Sequence, residues 1–163
     1  MPMIAIRSAL MAALLTFSPP LSAHEPAAKN RQPSVLSTTA RNAASTVDAF
    51  HAALRQGDTA TAAALLANDA LIFEAGGVER SKAEYASHHL AADAEFSQAV
   101  PSTVTNRSGG ATGDIAWIAS EGRITGTYNG KAIDRVTAET TVLRRIGKQW
   151  KIVHIHWSSA AMP

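Results

Sequence analysis

Between residues 38 and 56 apolar positions recur at helical spacing, with Val47, Phe50 and Leu54 on one side. Gly57 supplies a stop, and Asp58 is placed to cap a second short helix over 59–67, ending at Asn68-Asp69. A short strand follows over 71–75, and Gly76-Gly77 predicts a hairpin turn. Ser81, with Glu84 three residues on, forms a capping box that opens a third helix running to about Phe96. From there the period changes to two. Segments 100–107, 115–128, 131–145 and 150–158 read as strands, broken at Gly109-Gly110 to Gly113-Asp114, at Asn129-Gly130 and at Gly147-Lys148. Asn-Gly between two β-rich runs is a strong two-residue hairpin signal. Helices followed by consecutive antiparallel strands predict an α+β fold, the helices covering one face of a curved sheet.

Strict alternation on the last strand puts Trp150, Ile152, His154, His156 and Ser158 on one face. That face runs from apolar to polar, as expected of a strand that starts in packed core and ends at a wet pocket. The other face carries Lys151, Val153, Ile155 and Trp157 and suits a dimer interface. The third helix adds Tyr85, His88, His89, Asp93 and Phe96. Adjacent histidines on a helix diverge by about 100°, so His89 is expected to face the pocket and His88 the rim. Asp93, four residues after His89, lies within reach along the same side.

Two chemistries fit these residues. His89, Asp93, His154 and His156 could act catalytically, a His-Asp pair serving as general base for proton abstraction beside a carbonyl or for water elimination. The same four could instead bind zinc or copper. Tyr85, His88, Phe96, Trp117 and Ser158 are the expected ligand contacts. Phe73, Trp150 and Trp157 are further candidate walls, though aromatics at strand spacing also suit plain core packing. Glu74, Glu121, Arg123, Glu139 and Arg145 read as solvated cross-strand charges. No phosphate-binding glycine loop, serine-nucleophile motif or His-Glu-x-x-His helix is found, so no cofactor is called for outside the metal alternative.

Composition narrows the setting. The chain starts with one basic residue, Arg7, an apolar run over 9–17, Ser18-Pro19-Pro20 and then Leu21-Ser22-Ala23. That order is a secretory signal peptide, so cleavage after Ala23 and a periplasmic or secreted protein are expected. The apolar run falls short of the roughly 20 residues a bilayer span needs. Residues 24–36 form a leader with two prolines, and 37–163 a single domain. Cleavage would make His24 the N-terminal residue, whose amine and imidazole could also chelate copper. The chain has no cysteine, which excludes disulfides and thiolate chemistry. Losing Arg7 lowers the formal charge from +2 to +1, and without a long basic run nucleic acid is not an expected partner.

Three stretches carry a family likeness: "FHAALRQGDTATAAALLANDALIF", "GGVERSKAEYASHHLAADAEF" and "TVLRRIGKQWKIVHIHWSS". They resemble the nuclear transport factor 2-like superfamily, in its SnoaL-like and calcium/calmodulin-dependent kinase association-domain branches. The resemblance implies a cone-shaped half-barrel closed by three helices, often a homodimer through the outer sheet face. It also implies an interior pocket that serves isomerases, dehydratases, hydrolases and binding proteins. The carboxylate-binding arginine of the kinase domain falls on Thr141 here, and the Asp-Arg-Asp set of epoxide-hydrolysing relatives is not evident. The expectation is an exported homodimer that binds a small-molecule ligand, with lyase or isomerase activity and metal binding as alternatives.

Overall fold

The computed structural model describes residues 36–162. The expected signal segment, and the leader apart from Leu36, lie outside them. Leu36 itself packs against the core. Helix α1, Thr38–Gln56, begins where the Ser37 side chain accepts a hydrogen bond from the Ala40 amide. It ends at Gly57, whose φ of 73° is the left-handed cap that glycine takes most readily. Asp58 caps α2, Thr59–Leu65, by accepting from Thr61 N. The chain passes directly into β1, Leu66–Glu74, then turns into β2, Gly77–Glu79. After α3, Lys82–His88, and α4, Leu90–Ala99, come four long strands: β3 Ser102–Thr112, β4 Ile115–Tyr128, β5 Lys131–Ile146 and β6 Gln149–Ala161.

The six strands form one open, curved sheet in the order β2-β1-β6-β5-β4-β3. Every neighbouring pair is antiparallel except β1 and β6, which run parallel. The α+β architecture with helices on one face is as the residue pattern predicts. Helix α1 supplies most of the helical share of the core: Ala40, Ala43, Val47 and Phe50 are fully buried. Ala43, Val47 and Phe50 share one core cluster with Ala116 and Ile118 of β4, Leu143 of β5, and Ile152 and Ile155 of β6. Removing a side chain such as Phe50 from this layer costs about 3–5 kcal/mol.

Two local departures from the expected pattern decide where the chemistry sits. The third helix is not continuous. At His89 (φ −113°, ψ −29°) it breaks into α3 and α4. Tyr85 and Leu90 are both buried, yet on an unbroken helix residues five apart point about 140° away from each other. The break lets both reach the core.

The second departure is a β-bulge in β6. Leu143 pairs with Ile152 but Val142 pairs with His154, which leaves Val153 unopposed. Ile152 and Ile155, three residues apart, are therefore both buried, at 0% and 1% exposure. Beyond the bulge the faces are exchanged. Trp157 turns inward, stacking on Phe50 at 6.4 Å and meeting Tyr85 at 6.4 Å. His154 and His156 turn outward against half-exposed Phe73, at 5.4 and 6.3 Å between ring centres. The expectation that both histidines share a face with Ile152 and look toward the helices is thus corrected. So is the choice of Ile155 and Trp157 for an outer interface. Trp117 is also on the outer face, 46% exposed and away from the cavity.

Candidate functional site

Between α1, α4 and the inner face of β3 to β6 lies a cavity of about 770 Å³. Its walls include His51 and Leu54 of α1, Asp93 and Phe96 of α4, Glu139 of β5 and Trp157 of β6. A volume of this size suits a small organic ligand.

On one wall Glu139 is the central group. Its odd-numbered neighbours Thr141 and Leu143 are buried, so alternation aims Glu139 inward too, at 9% exposure. Its Oε2 lies 2.7 Å from His51 Nε2 and accepts from Trp157 Nε1 at 2.6 Å; Oε1 accepts from Thr141 Oγ1 at 3.1 Å. Burial alone would push this carboxyl up. The hydrogen bond and charge of His51, with the bonds from Trp157 and Thr141, outweigh it and hold the group below the usual carboxylate range. An ionised carboxylate only accepts hydrogen bonds, so His51 donates through Nε2. In a neutral ring Nδ1 is then the bare nitrogen, free to take a proton.

A second wall carries opposite electrostatics. The Tyr85 hydroxyl donates to Asp93 Oδ2 at 2.7 Å. Burial, followed by the charge and hydrogen bond of Asp93, pushes the Tyr85 phenol far up, so it stays protonated. Burial raises Asp93, against the opposing pull of the Tyr85 hydrogen bond and His89. Glu74 is raised by burial and then by Asp93. Asp93 and Glu74 line both the main cavity and a side pocket of about 190 Å³ that also contains Tyr85 and His89.

The residues singled out from sequence are therefore divided. Asp93, Phe96 and Ser158 line the cavity, and Tyr85 and His89 line the side pocket. The His89 ring reaches not Asp93 but Glu79, its Nδ1 in short contact with Glu79 Oε1. His88 stands at the surface with Nδ1 3.4 Å from Glu79 Oε2. His154 and His156 are on the opposite side of the sheet, so His89, Asp93, His154 and His156 do not converge. Glu139, read as a solvated charge, is the buried anchor of the site. His51 was not singled out, although it sits four residues after Val47 and three before Leu54, on the apolar stripe of α1. A histidine on such a stripe was the available signal.

The fold defines a cone-type α+β protein, with a pocket lined by His51, Glu139 and Asp93 among others. The SnoaL-like domain profile matches residues 43–163, and the chain belongs to the SnoaL-like family of the nuclear transport factor 2-like superfamily. No curated protein matches it. Among solved structures it is similar to a Shewanella frigidimarina protein provisionally assigned as a ketosteroid isomerase: 40% identity over 76% of this chain and 100% of that one, TM-score 0.71. A Xanthomonas campestris protein provisionally assigned as a calcium/calmodulin-dependent protein kinase II association domain shares 26% identity, covering 76% of this chain and 87% of that one, TM-score 0.61. A Streptomyces avermitilis protein of the same superfamily, provisionally assigned as a dehydratase, shares the fold at 21% identity, covering 77% and 98%, TM-score 0.64.

Proposed function

We propose that the protein binds a small carbonyl compound in the main cavity and moves a proton on it, as an isomerase or lyase does. The observation that carries the reading is the His51–Glu139 pair in the cavity wall, with Trp157 and Thr141 fixing the carboxylate. His51 Nδ1 takes a proton from the carbon next to the carbonyl. Asp93, held toward its protonated form by burial, donates a hydrogen bond to the oxygen on which negative charge develops. Groups whose surroundings push their proton affinities apart are what acid/base division of labour requires. The Shewanella relative's assignment as a ketosteroid isomerase is consistent with such a transfer.

Deuterium incorporation from D2O into a panel of cyclic ketones and unsaturated ketosteroids, followed by NMR, tests this. Exchange catalysed by the native chain and lost in His51→Ala supports the reading. A native chain that binds such ketones without exchange reduces it to ligand binding, and exchange equal in His51→Ala refutes the assigned base.

Export and pairing are part of the same proposal. The signal-like order of the first 23 residues supports action outside the cytoplasm. Half-exposed Leu71, Phe73 and Trp117, gathered with His154 on the outer sheet face, support a homodimer through that face.

A further inference from the structure

We propose that Glu79, Glu84 and His88 form a binding site for one divalent transition-metal ion of the zinc class, separate from the proton-transfer cavity. Glu79 ends β2. Ser81 caps α3 by accepting from Glu84 N at 3.0 Å, and Glu84 and His88, four apart, project from the same side of that helix. One donor atom from each of the three residues lies within 4.8 Å of the others. Among the described residues this is the group of ionisable side chains that converges so.

Glu79 makes the cluster more than a surface accumulation of charge. It is 7% exposed, and its Oε1 is engaged by His89 Nδ1. Its Oε2 has no hydrogen-bond partner, although it faces His88 Nδ1 across 3.4 Å. A buried carboxylate oxygen without a hydrogen bond is costly, and a cation beside it removes that cost. Glu84 gives one oxygen to the Arg80 amide, at 2.6 Å, and has a second to offer. His88 is 59% exposed along its side chain, so the site opens to solvent, which can complete the coordination sphere with water.

The donor set decides the ion. Two carboxylates match a double positive charge, while the imidazole selects zinc-like ions over magnesium or calcium, which prefer oxygen alone. His89 on the other oxygen of Glu79 orients that ligand from outside. Such an ion would tie the end of the β1–β2 hairpin to α3, the helix that carries Tyr85. The four residues expected from sequence to hold a metal contribute none of these ligands.

The test uses the untagged full-length chain and zinc chloride, with bound zinc measured by elemental analysis after dialysis and affinity by calorimetry. About one zinc per chain is expected. His88→Ala and Glu84→Gln, both at exposed or half-exposed positions, should each weaken binding at least about tenfold. Zinc should raise the melting temperature of the native chain and lose that effect in His88→Ala. A His154→Ala, His156→Ala double variant should bind zinc as the native chain does. Absence of retained zinc, or zinc binding indifferent to His88→Ala and Glu84→Gln, overturns the proposal. Deuterium exchange on ketones does not enter this readout, so failure of one proposal leaves the other standing.

Discussion

Replacing Glu139 with Gln keeps the shape of the side chain and removes its charge. The wild-type carboxylate accepts from Trp157 Nε1 at 2.6 Å, His51 Nε2 at 2.7 Å and Thr141 Oγ1 at 3.1 Å. Gln has one accepting oxygen. The Thr141 hydroxyl can rotate to accept from the new amide, so the oxygen stays with Trp157 and His51 as a neutral acceptor. Two charge-assisted bonds, each worth about 1.5–3 kcal/mol, become neutral ones worth about 0.5–1.5 kcal/mol. The expected loss is about 2 kcal/mol. Glu139→Ala leaves Trp157 and His51, as well as the Thr141 hydroxyl, without this acceptor; at about 1–3 kcal/mol for each of the two ring N–H groups, its cost should be about twice as large.

Urea unfolding followed by tryptophan fluorescence reads both values. The pH dependence supplies a second check. Glu139 is held below its ordinary value of 4.5 in the folded protein, so its contribution is present above that pH and lost as pH falls through the folded value. The stability gap between wild type and Glu139→Gln should narrow as pH falls below about 4.5. Proton exchange should fall by about 10²–10⁴, since the base loses its orienting carboxylate. A Glu139→Gln chain as stable and as active as wild type would refute the reasoning.

Three further outcomes follow from the same geometry. Asp93 is raised by burial, so its folded-state value lies above 3.8. Its stabilising share is therefore full below that pH and lost as pH rises. Asp93→Asn should gain stability over wild type at pH 7 but not at acid pH, while proton exchange slows; thermal melts at the two pH values check it. Light scattering on a size-exclusion column should give twice the chain mass for the native protein, and Trp117→Asp combined with Phe73→Asp should give the single-chain mass while retaining the cavity. Intact mass of protein recovered from an exporting host should correspond to a chain beginning at His24.

Most of the architecture was legible because it is written in local rules. Ser37, Asp58 and Ser81 cap helices as their side chains allow, and Asn129 and Gly130 take the positive φ values, 50° and 74°, that their hairpin needs. The site was less legible because it depends on tertiary choices. Nothing local to the last strand says that Val153 will be extruded. The bulge arises because Ile152 and Ile155 both gain more by burial than strict alternation would let them. One inserted residue then sends His154 and His156 outward and brings Trp157 in to Glu139. In the same way, Tyr85 and Leu90 compete for the core and break the helix at His89, which turns that ring toward Glu79. Glu139 resembled a surface charge because the charged Arg145 shares its strand face. Its neighbours Thr141 and Leu143, both buried, were the better guide.

The central claim is an imidazole in the cavity wall that is anchored through one nitrogen and bare at the other. Nitrogen NMR of ¹⁵N-histidine-labelled protein, with His51→Ala to assign the resonance, reads this directly at a pH where the ring is neutral. The account predicts that His51 carries its proton on Nε2, bonded to Glu139, with Nδ1 unprotonated and shifting when a ketone ligand is added. A proton on Nδ1 with Nε2 bare would contradict it.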